Sequence, residues 1–205
     1  KSSLKVTLSI QQKLPVAGGL GSSAAASVGG ALATLIACQQ EKNTKLLLDA
    51  ALTGERQTSG EHLDNIAPCI LGGLTLALQE QPATIHRLPC HSKFYVALVT
   101  PDMELNTKNS REVLPQSLRQ AEWTQVMSHS LALITALGQG DSELLKRALI
   151  DPYAEPRRAP LIPGFLNIKT AALSSGALGC TISGGGPSIF AITENQEQRN
   201  RLSSS

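Results

Sequence analysis

The stretch Pro15-Val16-Ala17-Gly18-Gly19-Leu20-Gly21-Ser22-Ser23-Ala24-Ala25 sets three glycines and two serines directly ahead of a helical apolar pattern. Glycines let backbone N–H groups approach a bulky anion, and a helix start adds unpaired N–H donors with about half a positive charge. Ser22 and Ser23 can cap that helix or offer hydroxyls to a phosphate or its Mg²⁺. A plain Gly-rich turn before a small-residue helix is the bland alternative. A Walker A loop would require a Lys that is absent here. A dinucleotide fingerprint fits loosely as Gly19-x-Gly21-x-x-Ala24, but it needs a second strand ending in an acidic residue about 20 positions on. Glu41 stands at that distance in Cys-Gln-Gln-Glu-Lys-Asn-Thr-Lys, which reads as a polar helix end. A phosphate loop of another type is what remains.

Four more clusters could handle charge. Ser183-Gly184-Gly185-Gly186-Pro187 is too rich in glycine for a two-residue hairpin turn, though a bulged hairpin would also fit. His62, Asp64 and Asn65 stand just before an apolar run, where a surface His and a turn or cap are the ordinary reading. Thr107 can cap a helix with Arg111 one turn on, and Arg157 and Arg158 precede Leu-Ile-Pro-Gly-Phe. Arg holds a carboxylate with two parallel bonds, so these residues suit an amino acid or other carboxylate. A solvated helix Arg is the competing reading for Arg111.

The elements that must carry these residues are legible from periodicity. Val28, Leu32, Leu35 and Ile36 recur at steps of three and four, predicting a helix from Ser22 to about Gln40 after a turn at Pro15. Lys5 to Gln12 alternate like a strand, 46–57 reads as a second helix, and Gly-Gly-Leu-Thr-Leu-Ala-Leu at 72–78 reads as a strand. Further on, strands near 94–99 and 178–193 flank helices near 108–119, 122–149 and 165–175. The chain splits near residue 88, which predicts an α+β protein with domains at 1–87 and 88–205. Both ends read as cut, as in an internal piece of a longer protein.

Composition narrows the class. A net charge of +2 and 3% aromatic residues argue against a base-stacking nucleic-acid binder. No apolar run reaches the length of a membrane-spanning helix, and no signal-peptide pattern is seen. Cys38, Cys69, Cys90 and Cys180 are far apart and predict free thiols rather than a zinc site or disulfide framework.

The loop Pro15-x-x-x-Gly19-Leu20-Gly21-Ser22-Ser23-Ala24-Ala25 resembles the nucleotide loop of the GHMP small-molecule kinases, and Ser183-Gly184-x-Gly186-Pro187 is similar to that family's third motif. His62-x-Asp64-Asn65-x-Ala67-Pro68 followed by Gly72-Gly73 resembles the homoserine kinase branch. So do Thr107-x-x-x-Arg111 and Glu155-Pro156-x-Arg158-x-x-Leu161-Ile162-Pro163-Gly164-Phe165. The resemblance implies transfer of the ATP γ-phosphoryl group to the side-chain hydroxyl of L-homoserine. It assigns Pro15, Gly18, Gly19, Leu20, Gly21, Ser22, Ser23 and Ala24 to the nucleotide, and His62, Asn65, Thr107, Arg111, Arg158, Gly184 and Gly185 to the amino acid. Glu55 and Arg111 are implied catalytic, with Mg²⁺ on Glu55 and a serine hydroxyl, Ser22 or Ser23. Glu55 falls about one residue closer to His62 than the family pattern sets it, and Glu61 is the weaker alternative. Arg157 takes a variable place, expected at the surface, and no general base is implied.

The implied architecture is the two-domain GHMP fold, a ribosomal protein S5 domain 2-like part followed by a ferredoxin-like part, truncated at both ends. The missing N-terminal segment would hold the adenine pocket, so the piece alone is expected to be inactive. The resemblance further implies small-molecule partners, a possible homodimer and a cytoplasmic location, or plastid stroma in a plant. The rivals are a GHMP kinase for mevalonate, a sugar or a diphosphocytidyl intermediate, and an inactive member that only binds.

Overall fold

The computed structural model describes residues 7–11, 13–41, 43–57, 60, 62–79, 83–105 and 107–204. Two compact units make up the chain: Lys1–Val16 with Gly21–Leu88, and Ala17–Leu20 with Pro89–Ser205.

The first unit is built on three helices and a hairpin: α1 (Ser22–Ala37), α2 (Thr44–Arg56), α3 (Leu63–Leu71), β1 (Leu74–Leu78) and β2 (Thr84–Leu88). Helix α1 is rich in Ala and Gly, and it buries Ala24 and Val28, four residues apart, against Leu48, Ala51 and Leu52 of α2 and Leu63 and Ile66 of α3. Helix α2 starts at Asn43, whose side chain accepts hydrogen bonds from the Lys45 and Leu46 N–H groups. Strands β1 and β2 pair antiparallel, Leu74 opposite Leu88 and Leu78 opposite Thr84.

Sequence periodicity did not separate α3 or β2 from their surroundings. Pro68 lies inside α3 and forfeits one helical hydrogen bond, but burial of Leu63, Ile66 and Ala67 holds the helix in place. The strand expected at 5–12 is not seen in its described part, 7–11. A strand exists by ladder bonds to a neighbour, and among the described residues none pairs with this segment.

The second unit holds a three-stranded antiparallel sheet in the order β3 (Tyr95–Val99), β5 (Ile189–Thr193), β4 (Gly179–Ile182). Central β5 is covered on both faces. Ile189 and Ala191 pack with Ile162, Phe165 and Ala172, whereas Ile192 and Phe190 pack with Ala136, Leu145 and Leu149. The expected α+β class holds.

Three boundaries differ from the sequence reading. The helix expected at 122–149 is two, α5 (Gln120–Gln139) and α6 (Ser142–Ala148). Gly140 ends the first in the left-handed region, and the Asp141 carboxylate accepts from the Leu144 N–H at 2.9 Å to start the second. The helix expected at 108–119 stops early as α4 (Thr107–Glu112), since Pro115 cannot continue it. No element is assigned from sequence beyond residue 193, and α9 (Gln196–Ser204) forms there, with the Asn195 side chain accepting from the Gln198 N–H. Helix α7 (Ala154–Arg158), a following 3₁₀ turn and α8 (Phe165–Ser174) complete the unit.

Candidate active site

In the first unit, α1 opens at Gly21, whose φ of 68° is left-handed and offers no side-chain cap. Gly21 thus supplies no side-chain cap to this sixteen-residue helix, and no acidic side chain occupies its first turn. Glu55, on the last turn of α2, is only 2% exposed. Its Oε2 accepts hydrogen bonds from Ser23 Oγ at 2.9 Å and Ser27 Oγ at 3.2 Å. The structure thus brings Ser23, rather than Ser22, onto Glu55. Burial, with the Glu55 charge adding to it, pushes the nearby Cys69 thiol above its ordinary value.

Asn65 packs against the start of α1, its Oδ1 3.2 Å from where a Cβ on Gly21 would lie. His62 immediately precedes α3, mostly covered, with Nδ1 3.9 Å from the Asp64 carboxylate. Ala24 is fully buried in the core, so its side chain serves packing. Glu61 lies outside the described residues.

The second unit holds the middle of the first glycine loop against the second. Gly19 sits at φ 73°, and a Cβ there would meet the Ser183 carbonyl oxygen at 2.4 Å. Ser183 Oγ donates to the Gly19 carbonyl at 2.9 Å, and the Ser188 N–H donates to the Gly18 carbonyl. Two glycine loops 164 residues apart in sequence therefore meet backbone to backbone.

Arg158, at the end of α7, donates from Nε to the Ser110 carbonyl at 3.1 Å and from Nη1 to the Gly184 carbonyl at 2.8 Å. These bonds leave Nη2 without a protein acceptor among the described residues. Burial lowers the Arg158 pKa below its ordinary value; the Asp151 charge opposes the shift and the Arg111 charge adds to it. Arg111, exposed in the last turn of α4, is thus close enough for the two cations to feel each other. Thr107 begins the same helix, but its side chain lies outside what is described.

Residue spacing did not reveal Ser110, which is fully buried, with Oγ donating to the Gly185 carbonyl at 2.7 Å. Arg157 is not the surface residue expected. Its Nη2 pairs with Glu122 at 3.0 Å, and its guanidinium lies 4.7 Å from the Tyr153 ring centroid. Ser27 had a findable signal, since it follows Ser23 by one helical turn. Among the described residues no three His, Cys, Asp or Glu side chains form a metal-binding group. All four cysteines are free thiols. Among the described residues no helix is long and apolar enough to cross a membrane.

Comparison with known proteins covers nearly the whole chain. The GHMP kinases N terminal domain matches residues 1–73 and the GHMP kinases C terminal domain matches residues 133–205. A homoserine kinase from Chlorobium phaeobacteroides (strain DSM 266 / SMG 266 / 2430) is 40% identical over 198 residues, 96% of this chain and 62% of that protein. One from Arabidopsis thaliana is 41% identical over 155 residues, 74% of this chain and 42% of that protein. The crystal structure of homoserine kinase from Cytophaga hutchinsonii superposes with a TM-score of 0.87 at 37% identity, covering 93% of this chain and 61% of that one. The chain spans at most about three fifths of the length of these relatives. Both domain types of one family lie in order along the sequence, each with its own glycine loop; the chain belongs to the GHMP kinases.

Proposed function

We propose that the full-length protein transfers the γ-phosphoryl group of ATP to the side-chain hydroxyl of L-homoserine. The observation that carries this reading is Arg158. Two neutral backbone carbonyls hold its guanidinium, so its charge is offset only through space, by Asp151, and Nη2 is left to take an acceptor from a ligand. With the Arg111 charge alongside, it suits a free amino acid's carboxylate, which a sugar lacks. The relatives named above as homoserine kinases support the same substrate.

Phosphoryl transfer depends mainly on positioning and on neutralising charge around the transferring group. In this reading residues 1–87 are the remainder of the N-terminal, ATP-binding domain and 88–205 are the C-terminal domain. The uncapped start of α1, with Pro15 and Gly18 to Ala24, holds the nucleotide phosphates through backbone N–H groups. Arg111 and Arg158 hold the carboxylate, with Thr107, Gly184 and Gly185 on the acceptor's side, and His62 and Asn65 are assigned to the amino acid by the family resemblance. Glu55 and the serine hydroxyls form a hard oxygen donor set that fits Mg²⁺. When bound, Mg²⁺ would supply positive charge to the phosphate oxygens. A homodimer and a cytoplasmic or plastid location rest on the family resemblance alone.

The test is ADP release by the full-length protein with L-homoserine, mevalonate or galactose as acceptor. Turnover restricted to homoserine is the expected result. Turnover with another acceptor would discard the amino-acid site, and ATP binding without any turnover would point to an inactive member.

A further inference from the structure

We propose that the Lys169–Glu155 ion pair is the device that positions Arg158; the inference rests on the reading of Arg158 given above. Helix α7 is five residues long, too short to hold its own geometry. It is instead tied down residue by residue. The Asp151 carboxylate accepts from the N–H groups of Tyr153, Ala154 and Glu155 at 2.9, 2.7 and 3.2 Å. Tyr153 Oη donates to the Pro115 carbonyl, and Arg157 reaches Glu122 on α5. Glu155 Oε1 accepts from Lys169 Nζ at 2.5 Å, which joins α7 to α8.

Of these ties, Glu155 lies on the face that matters. It stands three residues before Arg158, and residues three apart share one face of a helix. Fixing Glu155 fixes the rotation of α7 about its axis, and with it the direction in which the Arg158 side chain leaves the backbone. The anchor on the other side is rigid. Lys169 lies one turn along α8 from Phe165, which is 2% exposed, and its ammonium stands 5.8 Å from that ring's centroid.

The pair is poorly built as a stabiliser. Its side chains are only 22% and 14% exposed, and Glu155 Oε2 is buried with no hydrogen-bond partner. A desolvated pair with an unsatisfied oxygen is often no better for stability than two apolar residues. What such a pair does supply is direction.

The experiment measures L-homoserine binding by calorimetry, together with the KM values for homoserine and ATP, in the full-length protein. Arg158→Ala sets the reference. Lys169→Met and Glu155→Gln are expected to weaken homoserine binding about tenfold, leave the ATP KM within about twofold, and be largely rescued in Lys169→Arg. In an Arg158→Ala background, Lys169→Met should add nothing, because it acts through Arg158. An unchanged homoserine affinity in Lys169→Met and Glu155→Gln, whatever their melting temperatures, overturns the proposal, as does an additive double variant. Should Lys169→Met fail to fold, the isosteric Glu155→Gln decides alone. An unchanged affinity in Arg158→Ala itself would overturn the reading of Arg158, and the proposal with it.

Discussion

Gly19→Ala puts the meeting of the two glycine loops to a quantitative test. A methyl group at Gly19 would lie 2.4 Å from the Ser183 carbonyl oxygen, 2.7 Å from the Gly186 carbonyl oxygen and 2.9 Å from the Gly186 nitrogen. All three are backbone atoms, so no side chain can swing away. Two costs follow. Holding Ala at φ 73° costs about 1–2 kcal/mol, and forcing the loops apart costs about 1–3 kcal/mol more. Gly164→Ala isolates the first of these, since Gly164 has a φ of 80° and nothing within 4 Å of its added Cβ. Urea unfolding of the full-length protein reads both variants. Gly164→Ala should lose about 1–2 kcal/mol with ATP affinity intact, and Gly19→Ala should lose at least about 1 kcal/mol more and bind ATP more weakly. Equal losses in the two variants, or a Gly19→Ala protein with unchanged ATP affinity, would refute the backbone-to-backbone contact or its part in holding phosphate.

Three further outcomes are expected. Arg111→Ala should raise the KM for homoserine about 10- to 150-fold, the loss of a charged hydrogen bond, with a much smaller change in kcat; steady-state kinetics with an unchanged KM would remove Arg111 from the site. Glu55→Gln keeps the volume and an acceptor for Ser23 and Ser27, so the fold should survive. The Mg²⁺ concentration for half-maximal turnover should rise on the order of tenfold or more, and an unaltered Mg²⁺ titration would free Glu55 of any metal role. Glu122 tests the electrostatics of α5 and α7: the side-chain hydrogen bond from Arg119, helped by Arg157, holds its carboxyl down at about 2, against an ordinary 4.5. A depressed carboxyl stabilises the fold above its unfolded pKa and loses that contribution as pH falls through the folded one. The stability advantage of wild type over Glu122→Gln should therefore be flat above pH 4.5 and fade towards pH 2; an advantage already gone at pH 4 contradicts the geometry.

How much of this was legible in the sequence depended on whether the signal was local. The α1 helix announced itself through Val28, Leu32 and Leu35 at helical steps, and the two glycine loops through their own composition. Their meeting did not, because nothing near Gly19 in sequence refers to Ser183. The Glu55 cluster was half legible: a carboxylate on the second helix could be picked out, but that Ser23 and Ser27 would both reach it depends on how α1 packs on α2. Helix α7 was missed because five residues hold too few turns to show a period. The break at Gly140-Asp141 was readable in principle, since a Gly followed by an Asx cap is a stop and a start, yet the apolar pattern runs across it.

Arg157 and Arg158 show most plainly where residue type stops being informative. They are neighbours with the same side chain and similar partial burial, and only the chemistry of their partners separates them. Arg157 meets a carboxylate, so its charge is already neutralised and its guanidinium is stacked on Tyr153. Arg158 meets two carbonyls, which satisfy hydrogen bonds without cancelling charge. Burial and the Arg111 charge weigh against its charged form, and the Asp151 charge offsets them in part. A ligand carboxylate would offset more of that cost. Arg158 and Arg111 are therefore the pair we propose for the ligand, whereas Arg157 and Glu122 join α7 to α5.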